Sequence, residues 1–102
     1  MEKLFKTWGS WASTQFPNQT TVGKVNHLSK EVAELKESIE KGKIDIVEIA
    51  DCFGLLFSIC DIEKIDYLSL KKAIEDKLII NKNRDWPKTP ESDGSYLHIK
   101  SK

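Results

Sequence analysis

The segment Glu31-Val-Ala-Glu34 sets two carboxylates three residues apart, and Glu48-Ile-Ala-Asp51 repeats that spacing after an interval of thirteen residues. Residues three apart on an α-helix are neighbours on one side, so each pair would present its acids in a common direction. Carboxylates gathered in this way repel one another unless a cation stands between them. A donor set made only of oxygens, without a cysteine or histidine cluster, suits Mg2+ or Mn2+ better than zinc. The two pairs differ in weight. Glu31 and Glu34 share a charged segment with Glu37 and Glu40, where a solvated acidic face explains them equally well. Glu48 and Asp51 instead interrupt "IVEIADCFGLLFSIC", residues 46–60, whose one other clearly polar residue is Ser58. An ionised carboxylate left alone in apolar surroundings is costly. Capping-box spacing between Asp45 and Glu48 offers a competing role for Glu48, but none for Asp51.

A third group lies in "KLIINKNRDW". Lys77, Asn81 and Arg84 recur at i, i+4 and i+7, one helical stripe if the helix reaches Arg84. A lysine, an amide and the single arginine of the chain form a row suited to phosphate oxygens, since arginine engages them bidentately and lysine acts as a point charge. Cations at a helix C-terminus also complement the macrodipole, which is the plainer explanation. Together, a carboxylate cluster and a cationic row fit a substrate with several phosphates bound as its metal complex.

The elements that must position these residues are helical. "LFKTWGSWASTQF" reads as one short aromatic-rich helix, and Thr20 or Thr21 in "PNQTT" can cap the next. Val25, Leu28, Val32, Leu35 and Ile39 recur at intervals of 3, 4, 3 and 4, one apolar stripe of a helix that should face the core. Gly42 is its expected stop. The very short connection to residues 46–60 predicts an antiparallel hairpin, which brings Glu48 and Asp51 near Glu31 and Glu34. "DIEKID" leads into a helix over about residues 67–83, with Leu70, Ile74, Leu78, Ile79 and Ile80 on its core-facing side. Two prolines and an Asp-Gly turn in "WPKTPESDG" end helix formation, so the chain is irregular from about residue 85. "SYLHIK" is a short extended segment or a loop. With no strong strand pair, the expected class is all-α, a bundle of about four helices forming a single domain over residues 1–102.

Sixteen basic and sixteen acidic residues among 102 cancel, against the basic surplus expected of a binder of polymeric nucleic acid. Cys52 and Cys60 lie in the apolar run with no metal-binding spacing, and read as small buried hydrophobes. The opening residues lack the apolar core of a signal peptide. The apolar run is too short and too acidic to span a bilayer, so a cytoplasmic, membrane-free protein is expected.

The order ExxE, thirteen residues, ExxD resembles the MazG-like all-α nucleoside triphosphate pyrophosphohydrolases, whose relatives include dimeric dUTPases and small dCTP pyrophosphatases. "HLSKEVAEL", "EIADCFGLL" and "KLIINKNRDWPKTPESDGSYLHIK" are similar to the branch of dATP/dGTP diphosphohydrolases, often found in phages; for a phage-encoded chain the compartment would be the host cytoplasm. The resemblance implies Mg2+-dependent hydrolysis of a nucleoside triphosphate to the monophosphate and pyrophosphate, for control of the nucleotide pool. It implies Glu31, Glu34, Glu48 and Asp51 as metal ligands, with Glu34 or Glu31 also orienting or deprotonating the attacking water. Lys77, Asn81 and Arg84 would hold the phosphates, and the chain would assemble as a dimer or a dimer of dimers. Lys30 stands where some relatives carry a second glutamate. Trp11, Phe16, Trp86 and Tyr96 could stack on a base, and His27 or His98 could contact it, with ordinary packing as the rival explanation for each aromatic. Two other readings compete. A di-iron carboxylate bundle would need Glu-x-x-His pairs, which are absent from the sequence. A non-catalytic interaction or regulatory bundle would leave Glu48 and Asp51 as capping or surface residues indifferent to Mg2+.

Overall fold

The computed structural model describes residues 1–100. Its elements are four helices, α1 (Glu2–Gln15), α2 (Thr21–Glu40), α3 (Ile46–Ile62) and α4 (Tyr67–Lys82), with no strand among the described residues. The all-α class follows as expected. The chain divides into two compact units, Met1–Tyr67 and Leu68–Lys102.

In the first unit the helix ends are set by local chemistry. Thr20 is extended, and its side-chain oxygen accepts from the Gly23 amide at 3.0 Å, satisfying one of the orphan donors of α2. At the other end of α2, Gly42 has φ +77°, a left-handed conformation that L side chains rarely adopt. Asp45 then caps α3 through the Val47 amide at 2.9 Å. The turn between them makes α2 and α3 an antiparallel hairpin, closed at its far end where Thr21 Oγ1 donates to Glu63 Oε2 at 2.7 Å.

α3 is the central helix, with both α1 and α2 packed against it. Phe5, Ala12, Leu55, Phe57 and Cys60 form the buried apolar core. Phe5 meets Phe57 edge to face at a centroid distance of 5.2 Å and Tyr67 at 5.6 Å, an arrangement favoured by the quadrupoles of the rings. Small residues bring α1 and α3 close together: Gly9 faces the Asp61 side chain, and the Trp8 ring lies directly on Gly54. Ser58, one turn beyond Gly54 and fully buried, donates to the Gly54 carbonyl at 3.0 Å.

The apolar stripe of α2 departs from the expected core role. Leu28 and Leu35 are half-buried, but Val25, Val32 and Ile39 stay about half-exposed. On α3 the face that carries Ile46, Val47, Phe53 and Leu56 is also exposed, Ile46 reaching 77%. A central helix with neighbours on two sides cannot bury an apolar surface that runs all the way round. The cysteines divide likewise: Cys60 is buried, whereas Cys52 is partly exposed.

In the second unit, α4 stops at Lys82, where Asn83 turns back to bond the Ile79 carbonyl through both its backbone amide (3.2 Å) and its side chain (3.0 Å). The following segment carries one isolated antiparallel bridge, with the Ile99 amide donating to the Asp85 carbonyl at 2.7 Å. The tail is thus irregular, as expected, with a short extended contact near its end. Ile74, Leu78, Ile79 and Ile80, assigned to a core-facing side, are exposed.

A methyl group at Gly54 would run into the Trp8 ring. Gly54→Ala should destabilise the fold by about 1–3 kcal/mol through overpacking, read as a lower urea midpoint at unchanged slope.

Candidate functional site

A cavity of about 500 Å3 opens in the first unit where the three helices meet. Its aromatic wall is Trp8, Trp11 and Phe16 from α1 and its end, and successive rings meet nearly edge to face at 5.8 and 5.7 Å. The loop before α2 contributes Asn18, Gln19 and Thr20, and α2 itself Gly23, Lys24, His27 and Glu31. α3 adds Asp51, Leu55 and Ser58. One acid from each motif therefore faces the same space: Glu31 of α2 and Asp51 of α3.

Glu31 is the more enclosed member of its motif, with a side chain 16% exposed and a hydrogen bond shared with His27 Nε2 at 3.2 Å. His27 lies one turn before Glu31, so the helix itself sets this pairing. Glu34, one turn further on, is exposed and does not line the cavity. Glu48 accepts from Ser38 Oγ at 2.9 Å, a tie from α3 back to α2. The capping-box role considered for Glu48 is thereby replaced: Asp45 caps the helix, while the Glu48 side chain faces its neighbour helix instead. The Cys52 thiol is pushed up from its ordinary value by burial first, then by the charges of Glu31, Asp51 and Glu48. Three of the four expected acids are thus close enough to act on one atom. Among the described residues, no three His, Cys, Asp or Glu side chains converge into a closed metal-binding group; Glu31 is instead paired with His27 and Glu48 with Ser38.

Lys24 was not singled out from the sequence. It is buried, its ammonium lies 4.3 Å from the centroid of the Phe16 ring, and burial lowers its pKa. Trp8, Asn18, Gln19 and Ser38 were missed as well. "PNQTT" carries a visible signal for a cap, but none for side chains that enter a cavity.

In the second unit, α4 ends before Arg84, so the expected single stripe is interrupted. Arg84 nevertheless returns to Asn81, its Nη1 donating to Oδ1 at 3.3 Å. Trp86 Nε1 donates to the Asn81 carbonyl at 2.7 Å, and its ring meets His98 at 6.0 Å. The His98 pKa is lowered by partial desolvation, then by the charges of Arg84, Lys100 and Lys77. Asn81 and Arg84 are therefore in contact, and the charges of Lys77 and Lys100 act with that of Arg84 on the same imidazole. Tyr96 is half-exposed.

The profile of the dATP/dGTP pyrophosphohydrolase family matches residues 4–102. The chain belongs to this family. A dATP/dGTP diphosphohydrolase of Salmonella phage PMBT28 is 32% identical over 94 residues, which is 92% of this chain and 30% of that protein. The chain thus spans under a third of the length of that curated relative. Among solved structures, a MazG-like pyrophosphohydrolase of cyanophage S-2L, bound to dGDP and three catalytic Mn2+ ions per active site, superposes with a TM-score of 0.75. The two are 27% identical, over 95% of this chain and 89% of the cyanophage chain. This family member thus has the MazG-like all-α fold.

Because neighbouring cations disfavour a charged imidazole, Arg84→Ala should raise the His98 pKa. A proton NMR titration of His98 in the two proteins checks this.

Proposed function

We propose that this chain hydrolyses deoxynucleoside triphosphates of the dATP/dGTP class to the monophosphate and pyrophosphate, with a divalent cation held by Glu31, Glu34, Glu48 and Asp51. The observation that carries the proposal is the cavity in which Glu31 of α2 and Asp51 of α3 face one space beneath an aromatic wall. Family membership and the nucleotide-bound cyanophage structure support it. The donor set fits a hard cation, Mg2+ or Mn2+, because it offers carboxylate oxygens and no soft ligand. When bound, such an ion stabilises charge on the phosphates and acidifies water.

The remaining work falls to side chains. Water is added across the bond between the α- and β-phosphates, and its proton passes to a carboxylate. Glu31 is better supported than Glu34 for this role, since it faces the cavity and His27 holds it in place. Ser38 orients Glu48 in the same manner. Lys77, Asn81 and Arg84 are proposed as phosphate contacts, with Arg84 already steered by Asn81. For the base and sugar, Trp11 and His27 are supported by their place in the cavity. Trp86, Tyr96 and His98 remain proposed contacts on the strength of the sequence.

Purified protein incubated with each common nucleoside triphosphate and Mg2+ or Mn2+ should yield monophosphate and pyrophosphate from the deoxypurine subset, resolved by ion exchange. Asp51→Asn should reduce turnover by about a hundredfold or more, a loss typical of a removed electrostatic group, without altering the helical circular dichroism. Diphosphate with orthophosphate as products, or full activity in Asp51→Asn, would overturn the assignment. A protein inert toward every triphosphate would be the non-catalytic bundle instead.

A homo-oligomer completes the proposal. Val25, Val32 and Ile39 on α2 and Ile46, Val47 and Phe53 on α3 leave more apolar surface exposed than scattered surface residues require. A second copy of the chain is the proposed cover. Light scattering after size exclusion should give two or four times the chain mass, and Ile39→Glu should shift it toward the monomer.

A further inference from the structure

Gln19 Oε1 is, among the described residues, the one buried side-chain polar atom with no hydrogen-bond partner. A buried acceptor left unsatisfied bears the full cost of its desolvation, and native structures seldom leave such an atom without a purpose. Its position gives one. The Gln19 backbone N–H donates to the Phe16 carbonyl at 3.0 Å, which fixes the turn after α1. The next residue, Thr20, is fixed by its cap of α2. The backbone on both sides is therefore held, and the side chain lines the cavity together with Trp11 and Phe16.

The same cavity contains Glu31, ten residues beyond Thr21, so roughly 15 Å of helix separates the Gln19 end from that acid. A nucleotide has this kind of polarity, with an aromatic base at one end and phosphates at the other. Aromatic rings supply surfaces on which any base can stack. Stacking alone does not choose among bases; an unsatisfied acceptor beside the rings does.

We propose that Gln19 determines base specificity, its Oε1 accepting a hydrogen bond from the Watson–Crick edge of a purine, from the 6-amino group of adenine or N1–H of guanine. These donors occupy adjacent positions on the two bases, so one acceptor serves both. The inference rests on the reading of the cavity as a deoxypurine nucleotide site.

The test compares dATP with the deoxynucleoside triphosphate of unsubstituted purine, which has no donor on that edge. Wild type should prefer dATP in kcat/KM by about tenfold or more, because a site built around a hydrogen bond rejects an analogue that lacks it. Gln19→Met, of similar volume, should lose this preference chiefly through a higher KM for dATP. Gln19→Glu keeps an acceptor and should retain the preference. An equal preference in wild type and Gln19→Met would overturn the proposal. Binding of the α,β-methylene analogues of both nucleotides, followed by tryptophan fluorescence, separates this from failure of the hydrolytic reading. A preference in binding lost in Gln19→Met supports Gln19 even if neither substrate is cleaved, and no preference in binding overturns it. Thermal melting of each variant confirms that the fold is intact.

Discussion

The first unit depends on the bare backbone of Gly54. Because that position has no side chain, the Trp8 ring can lie on α3 itself, and α1 packs against the middle of the central helix instead of standing off from it. Asp51 and Ser58 lie one turn to either side of this contact, so the aromatic wall and the acid of the second motif are fixed by the same few atoms. Gly9, the next residue along α1, performs the corresponding service toward the C-terminal end of α3, where it meets Asp61. Close approach through small residues, more than the volume of the apolar core, sets the geometry of the cavity.

Electrostatics adds a second constraint. Three carboxylates act together on the Cys52 thiol, although like charges at short range favour separation. Polar neighbours hold two of them: His27 shares a hydrogen bond with Glu31, and Ser38 donates to Glu48. These links orient each acid individually while α2 and α3 bring the group together. The hairpin turn at Gly42 and the Thr21–Glu63 hydrogen bond fix the hairpin at its two ends.

Much of this was legible from residue types and spacing. The four helices, the Thr20 and Asp45 caps, the stop at Gly42 and the proximity of the two acidic motifs all follow from short-range rules. The fate of the apolar stripes does not. Val25, Val32 and Ile39 have the period of a core face, but periodicity reports that a face is apolar without specifying what covers it. Glu48 was ambiguous for a related reason: capping-box spacing is a local pattern, whereas its hydrogen bond to Ser38 comes from the neighbouring helix. Arg84 reaches Asn81 even though α4 ends before it, since a long side chain can restore a proximity that the backbone gives up. Gln19 left no trace in the sequence at all, because whether an amide is buried and unpaired depends on the rings packed around it.

The segment between α1 and α2 is tied at both ends, by the Phe16 amide to the Ala12 carbonyl and by the Thr20 cap. Between these anchors lie only residues 17–19, carried on neither of the helices that bear the acids. Substitutions there leave the carboxylate framework alone. A lineage could therefore alter its ligand preference by changing a handful of codons in one turn, without touching the scaffold of α2 and α3.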